Sequence, residues 1–257
     1  MTLFSTRSLS AALVVLILAG ASRAVSAAAP CDAPWMHPGG GFSVTATPSG
    51  HVIDFSVTDF AKTDGGNCKG AIQTDFSLTI GGQKTQSQSV MAIEIADGKV
   101  RPPSESASGQ LQAKSGAGAM SAALQSQASG LLSYAGEVTG EGQRLPGTRT
   151  EVSMDGLLSK LGVAAGQISV PKMVLVTSEK VVGKTEQLDT PLGRYQCWPI
   201  SYERHQEGAP AMVMGMSANL NASAQVVDHF CPASGLVMRE DLTANNKSTM
   251  LAVTALH

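Results

Sequence analysis

The chain has 257 residues, 18 Lys+Arg against 20 Asp+Glu for a formal charge of −2, and only 4% aromatic residues. No basic run is present, which excludes the electrostatic footprint of nucleic-acid binding and of attraction to anionic headgroups. A composition rich in Gly, Ser, Ala, Thr and Val suits sheets with many turns better than a helical bundle.

The N-terminus reads MTLFSTRSLSAALVVLILAGASRAVSAAAPC. Arg7 precedes an apolar run from Ala11 to Ala19, and the small residues Val25 and Ala27 follow with the spacing of a cleavage site. That order is a secretory signal peptide over residues 1–27, with one mainly-β domain expected over 28–257. The apolar run is too short to span a bilayer, which takes roughly 20 apolar residues. A single arginine is not a twin-arginine signal, and Pro30 before Cys31 argues against lipid attachment. The expected location is periplasmic or secreted, and N-terminal sequencing should find Ala28 first. Removing Arg7 and Arg23 from 18 Lys+Arg leaves 16 against 20 acids, a formal −4.

The four cysteines are Cys31, Cys68, Cys197 and Cys231. An even number in an exported chain implies disulfides, and the lack of a C-x-x-C excludes a zinc knuckle or a thioredoxin-type redox pair. Two lie early and two late, so of the three possible pairings Cys31–Cys68 with Cys197–Cys231 is expected. Each bond would close a loop of about 35 residues and contribute roughly 3 kcal/mol.

Residues 42–100 read as strands. Phe42, Val44 and Ala46 alternate with Ser43, Thr45 and Thr47, and Met91, Ile93 and Ile95 alternate further on. TPSG at 47–50 is a turn between the first two strands. The preceding WMHPGGG, residues 35–41, is superficially like the glycine-rich oxyanion segments of esterases. No Gly-x-Ser-x-Gly elbow follows, and GMSAN at 215–219 lacks the second glycine, so a flexible turn is expected and a hydrolase is only a remote alternative. RPPSESASGQ, residues 101–110, predicts a loop, and a subdivision of the domain would fall near 101–118. One or two short helices are expected next. Met120, Leu124, Gln127, Leu131 and Leu132 fall near helical spacing. In SMDGLLSKLG, Ser153 can cap, Leu157, Leu158 and Leu161 form a stripe, and Gly162 can stop the helix.

From Pro171 onward the β pattern is clearest. Strands are expected at 172–180, 194–205, 211–219, 224–231, 236–243 and 249–255, with turns at LDTPLG, QEGAP, CPASG and TANNKS. Such short connections make an antiparallel meander, since parallel crossovers need about a dozen residues. The predicted class is mainly β (α+β), a curved antiparallel sheet or half-barrel.

The stretches EKVVGKTEQLDTPLGRYQCWPISYE and DHFCPASGLVMRE resemble the closing strands of exported lipoprotein-carrier-like proteins, the superfamily of the periplasmic lipoprotein chaperones. The matching positions are the turn Thr190, Pro191 and Gly193, the aromatics Tyr195 and Trp198, and the turn Pro232, Gly235, Leu236 and Val237. The resemblance is confined to these C-terminal strands. It implies a curved antiparallel sheet, closed on one side by short helices, with a concave face that holds acyl chains.

AMVMGMSANL, residues 211–220, sets Met212, Met214 and Met216 at alternate positions. On one strand they would share a face. Three readings stay open: ordinary core, an adaptable cavity wall with Trp198, or a soft copper(I) site. YERHQE places Glu203, His205 and Glu207 on one strand face, compatible with a metal or an acid–base pair, although a solvated hairpin tip is the expected role. No His-Glu-x-x-His or phosphate-cradling glycine loop occurs. The reading is an exported, non-enzymatic protein without cofactor or metal, binding a lipid, acyl chain or lipidated partner in the concavity of its sheet. The alternative is an envelope interaction protein with a filled core that meets other envelope proteins by its surface.

Overall fold

The computed structural model describes residues 30–257 apart from 81–82, 102–107, 116–117, 126–133, 161–162, 209–210, 214–215 and 219–221. The expected signal peptide, 1–27, lies outside the described residues. The first strands are β1 (Gly41–Thr47), β2 (Val52–Lys62), β3 (Cys68–Ile80), β4 (Gln83–Ala96), β5 (Lys99–Arg101), β6 (Ser108–Ser115) and β7 (Gly118–Gln125). A middle group follows: β8 (Arg144–Leu145), β9 (Arg149–Lys160), β10 (Val163–Thr177), β11 (Lys180–Val182) and β12 (Glu186–Thr190). The last are β13 (Gly193–Gly208), β14 (Ala211–Val213), β15 (Met216–Ala218), β16 (Ala222–Cys231), β17 (Leu236–Ala244) and β18 (Lys247–Leu256).

The fold is the expected antiparallel β architecture. Neighbouring pairs run from β1 through β2, β3 and β4 to β6, β7, β9 and β10, then to β13, β16, β17 and β18, which lies beside β1. Between β4 and β6, Gln86, Ser87 and Gln88 face Lys114, Ala113 and Gln112. At the end that carries the core the sheet is open. Among the described residues β5 pairs with β4 alone and β8 with β11 alone. Residues 134–143 bridge that opening. Lys99 meets Glu137 at 3.1 Å on one side, and Val182 N–H donates to the Gln143 carbonyl at 2.9 Å on the other.

Both expected helices are strands. Residues 153–160 belong to β9, which pairs with β7 on one side and β10 on the other; Leu157 faces Ser121 and Gln167. A helix there would leave two ladders unpaired, and Gly156 weakens helix at mid-segment, so tertiary pairing overrides a short leucine stripe. Residues 118–125 of the other segment form β7, and 126–133 lie outside the described residues. Among the described residues the helical turns are two 3-10 segments, Pro30–Asp32 and Asp64–Gly66.

The turn expected at QEGAP does not begin at its described residues, and 209–210 lie outside them. β13 runs through Gln206 to Gly208, and β14 continues along the same neighbour β10 in the same register: Gly208 faces Met173, and Val213 faces Ile168. β14 then pairs antiparallel with β15, Val213 opposite Met216. AMVMGMSANL is therefore two short strands at the tip of a long hairpin rather than one.

The core follows from alternation. In β1 Phe42 and Val44 are buried, and Phe42 stacks on Phe55 at 4.6 Å. Gly41 is obligatory, because a Cβ there would sit 2.0 Å from the Phe55 carbonyl oxygen. One cluster gathers Trp35, Phe42, Val57, Ile72, Ile95, Leu236, Met238 and Val253 with both disulfides. A second gathers Tyr134, Leu145, Val182, Ile200, Phe230 and Val237. Successive residues of a strand face opposite ways. Phe230 and Cys231 are both buried, as are Leu236 and Val237, so β16 and β17 are covered on both faces here. Each fully buried large side chain contributes roughly 1.5–3 kcal/mol.

Candidate functional site

Two polar features lie on opposite faces of β13, β16 and β17. The register pairs Ile200 with Asp228 and Asp228 with Glu240, which puts these residues, with Tyr202, Arg204 and Val226, on one face. Glu203, Gln225 and Thr243 form the neighbouring row on the other face.

The second face carries a groove of about 850 Å³ towards the far end of these strands. Glu203, His205, Glu207, Ser223, Gln225, Thr243 and Asn245 line it among others. Its side chains hold each other in place: Gln225 donates to Glu203 at 2.6 Å, His205 meets Glu207 at 3.0 Å, and Arg149 reaches Glu207 at 3.3 Å. These contacts draw the Glu207 carboxyl below its ordinary value, His205 first among the causes. The three residues that could have formed a metal or acid–base set thus lie on one face, as their spacing predicts. Among the described residues no cluster of three or more His, Cys, Asp or Glu is arranged to hold a metal ion.

The first face holds the buried cluster. Tyr134, 1% exposed, donates its hydroxyl to Asp228 Oδ2 at 2.5 Å. Lys180 Nζ donates to the Tyr134 oxygen at 3.3 Å and lies 4.9 and 4.8 Å from the ring centres of Tyr134 and Tyr202. Arg204 reaches Glu240 at 3.5 Å. Burial is the main cause of every shift here. It lowers the Lys180 amine, against the pull of Asp228 and Glu240. It raises both phenols, with Asp228 adding to the effect, so each stays a neutral donor. It also pushes Glu240 up to about 7, with Asp228 next in weight and Arg204 opposing. Asp228 Oδ1 is buried and has no hydrogen-bond donor among the described residues.

His229, the next residue, points the other way and is buried under β12. Its Nδ1 meets Glu186 at 2.7 Å and its Nε2 meets Asp241 at 2.9 Å, while Arg239 grips Asp241 at 2.7 Å. His229 therefore pins β12 to the sheet.

Trp198 lies half-buried against the second cluster, paired in register with Phe230. It packs on filled core. Cys31 is joined to Cys68 and Cys197 to Cys231, as cysteine order predicted. Met214 lies outside the described residues. The register sets Met212 opposite Ser217 and Met216 opposite Val213, not in one continuous row. Lys180, Asp228, Glu240 and Tyr134 were not singled out in the sequence. One local signal existed: in QVVDHF, Asp228 shares the alternation of Val226 and Phe230, a charge on an apolar face. Trp35, expected in a flexible turn, is core: its indole N–H donates to the Ser234 carbonyl at 2.9 Å.

The architecture is an open antiparallel sheet stapled by two disulfides. No protein-family model and no curated protein matches the chain. Among solved structures it is similar to a protein assigned to export, with a YMCC-like fold, from Bacteroides fragilis. The identity is 11%, the match covers 86% of this chain and 96% of the other, and the TM-score is 0.50. It is also similar to a protein assigned as a lipoprotein from Parabacteroides distasonis, at 9% identity, the same coverage of both chains and a TM-score of 0.51. At these identities the likeness is one of fold. The disulfides place the chain in an oxidising compartment, as an exported protein requires. Among the described residues no helix is long and apolar enough to cross a membrane.

Proposed function

We propose that this chain is an exported, non-enzymatic protein that works by binding, and that the groove over Glu203, His205, Gln225 and Thr243 is its contact site. The observation that carries the reading is the contrast between the two ends of the sheet. Large side chains, Trp35, Phe42, Tyr134 and Ile200 among them, fill the core end of the sheet, whereas the groove is open and lined by hydrogen-bonding groups. Its carboxylates, Glu203 and Glu207, disfavour an anionic ligand. Hydroxyl, amide and carboxylate groups together suit a polar, neutral or cationic partner surface.

Native mass spectrometry of the protein purified from its source tests this, alongside Gln225→Arg and Thr243→Arg variants. The expected result is a polar or protein partner that wild type retains and both variants lose, with the fold intact by circular dichroism. Co-purified lipid with stoichiometric binding of a fluorescent fatty acid, unchanged in both variants, would overturn it. That outcome would return the function to the binding of an acyl chain.

A further inference from the structure

We propose that Asp228 and Glu240 share a single proton across β16 and β17, and that this proton latches residues 134–145 over the open side of the sheet. The inference is independent of what the groove binds.

Three observations converge. The two carboxyls occupy directly opposite positions of the β16–β17 ladder and so share a face. Side chains at such positions stand roughly 4.5–5.5 Å apart at Cβ. Asp228 Oδ1 is a buried acceptor without a donor, and the surroundings offer one in the form of a protonated Glu240. The other oxygen, Oδ2, receives the hydroxyl of Tyr134, the bulkiest buried residue of the segment that bridges the opening between β5 and β8. Asp228 thus joins Glu240 to the latch: one oxygen faces the proton and the other holds the phenol.

The groups facing Glu240 decide what its ionisation does. Asp228 on β16 repels it. Arg204 and Tyr202 lie on β13, Lys180 on β11, and Tyr134 on the bridging segment, while β18 presents the apolar Leu251 opposite it. Among the described residues the cations that can compensate are Arg204 and Lys180, and burial disfavours the Lys180 cation. Two carboxylates then compete for one guanidinium, and Asp228 is drawn away from the Tyr134 hydroxyl.

The direction follows from linkage. Glu240 sits at about 7 in the folded protein against an ordinary 4.5, so it binds its proton more tightly when folded. Its contribution is fully present below pH 4.5 and is lost as pH rises through about 7. The latch is closed in acid and loosens above neutrality.

Hydrogen exchange of peptides covering 134–145, corrected for intrinsic rates and compared at about pH 5.5 and about pH 8.5, reads the latch directly. Wild type should lose about tenfold or more of its protection there, the equivalent of one pKa unit, while β1 and β18 change little. Glu240→Gln, which donates to Asp228 at every pH, should stay protected at both. Tyr134→Phe should be poorly protected at both. A pH dependence in Glu240→Gln equal to that of wild type, or equal protection of wild type at both pH values, would overturn the proposal. If Glu240→Gln fails to fold, infrared spectroscopy of wild type decides alone: the carbonyl band of a protonated carboxyl must persist at about pH 6, where free carboxylates are ionised. Its absence ends the idea.

Discussion

Trp35 and Asp228 both carry polar atoms into the interior, with opposite consequences. The indole of Trp35 is satisfied by Ser234 and packs edge-on against Phe42 at 5.2 Å, so it contributes area without an unpaired donor. Trp35→Ala should cost about 3–5 kcal/mol through lost burial and the cavity left behind. Urea unfolding checks this, with a lower midpoint and an unchanged slope. Asp228 is harder to satisfy, because one oxygen depends on Tyr134 and the other on a proton. Tyr134→Phe removes one donor and leaves a buried carboxylate oxygen bare, which should cost about 1–3 kcal/mol. Equal stability of Tyr134→Phe and wild type at neutral pH would mean that Asp228 finds another donor.

Among the elements, strands with strict alternation were legible and those with mixed signals were not. β1 and the second half of β4 announce themselves by apolar residues at every second position, and β16 to β18 by the turn residues CPASG and TANNKS between them. β9 does not: Leu157 and Leu158 are adjacent, Gly156 precedes them, and only ladders on both sides make the segment extended. Turns misled in the same way. QEGAP has turn composition, yet β13 and β14 keep one register along β10, and the reversal comes only after Val213. The groove residues were visible as a charged strand face. The buried cluster was not, since Tyr134 and Asp228 lie 94 positions apart and Tyr134 and Lys180 lie 46 apart. The cysteines were legible because order favours local loops. Cys197–Cys231 staples β13 to β16 where both are buried, so reducing it, or replacing both cysteines by serine, should cost about 3 kcal/mol. Thermal unfolding with and without reductant measures this.

For the whole molecule, the perturbed carboxyl at Glu240 predicts a stability that falls from mildly acidic to neutral pH, opposite to the usual trend of ion-paired carboxylates. Denaturant midpoints at about pH 5 and about pH 8 should differ in that direction, and Glu240→Gln should flatten the difference. A larger consequence lies in the meeting of β1 with β18. Gly41 N–H donates to the His257 carbonyl at 2.7 Å, Thr254 reaches Ser43 across 211 positions, and Trp35 bonds Ser234 across 199. Such pairings impose their loop-closure entropy before any contact returns it, so the chain belongs to the slow, high-contact-order class of folders. While the chain emerges, β1 has β2 on one side and a bare edge on the other until Lys247–Leu256 arrives. The first core therefore cannot close until β18 docks, and β1 stays vulnerable to proteolysis until it does. Deleting Lys247–His257 should abolish protection throughout the first core, Trp35 and Val57 included, rather than fray one edge.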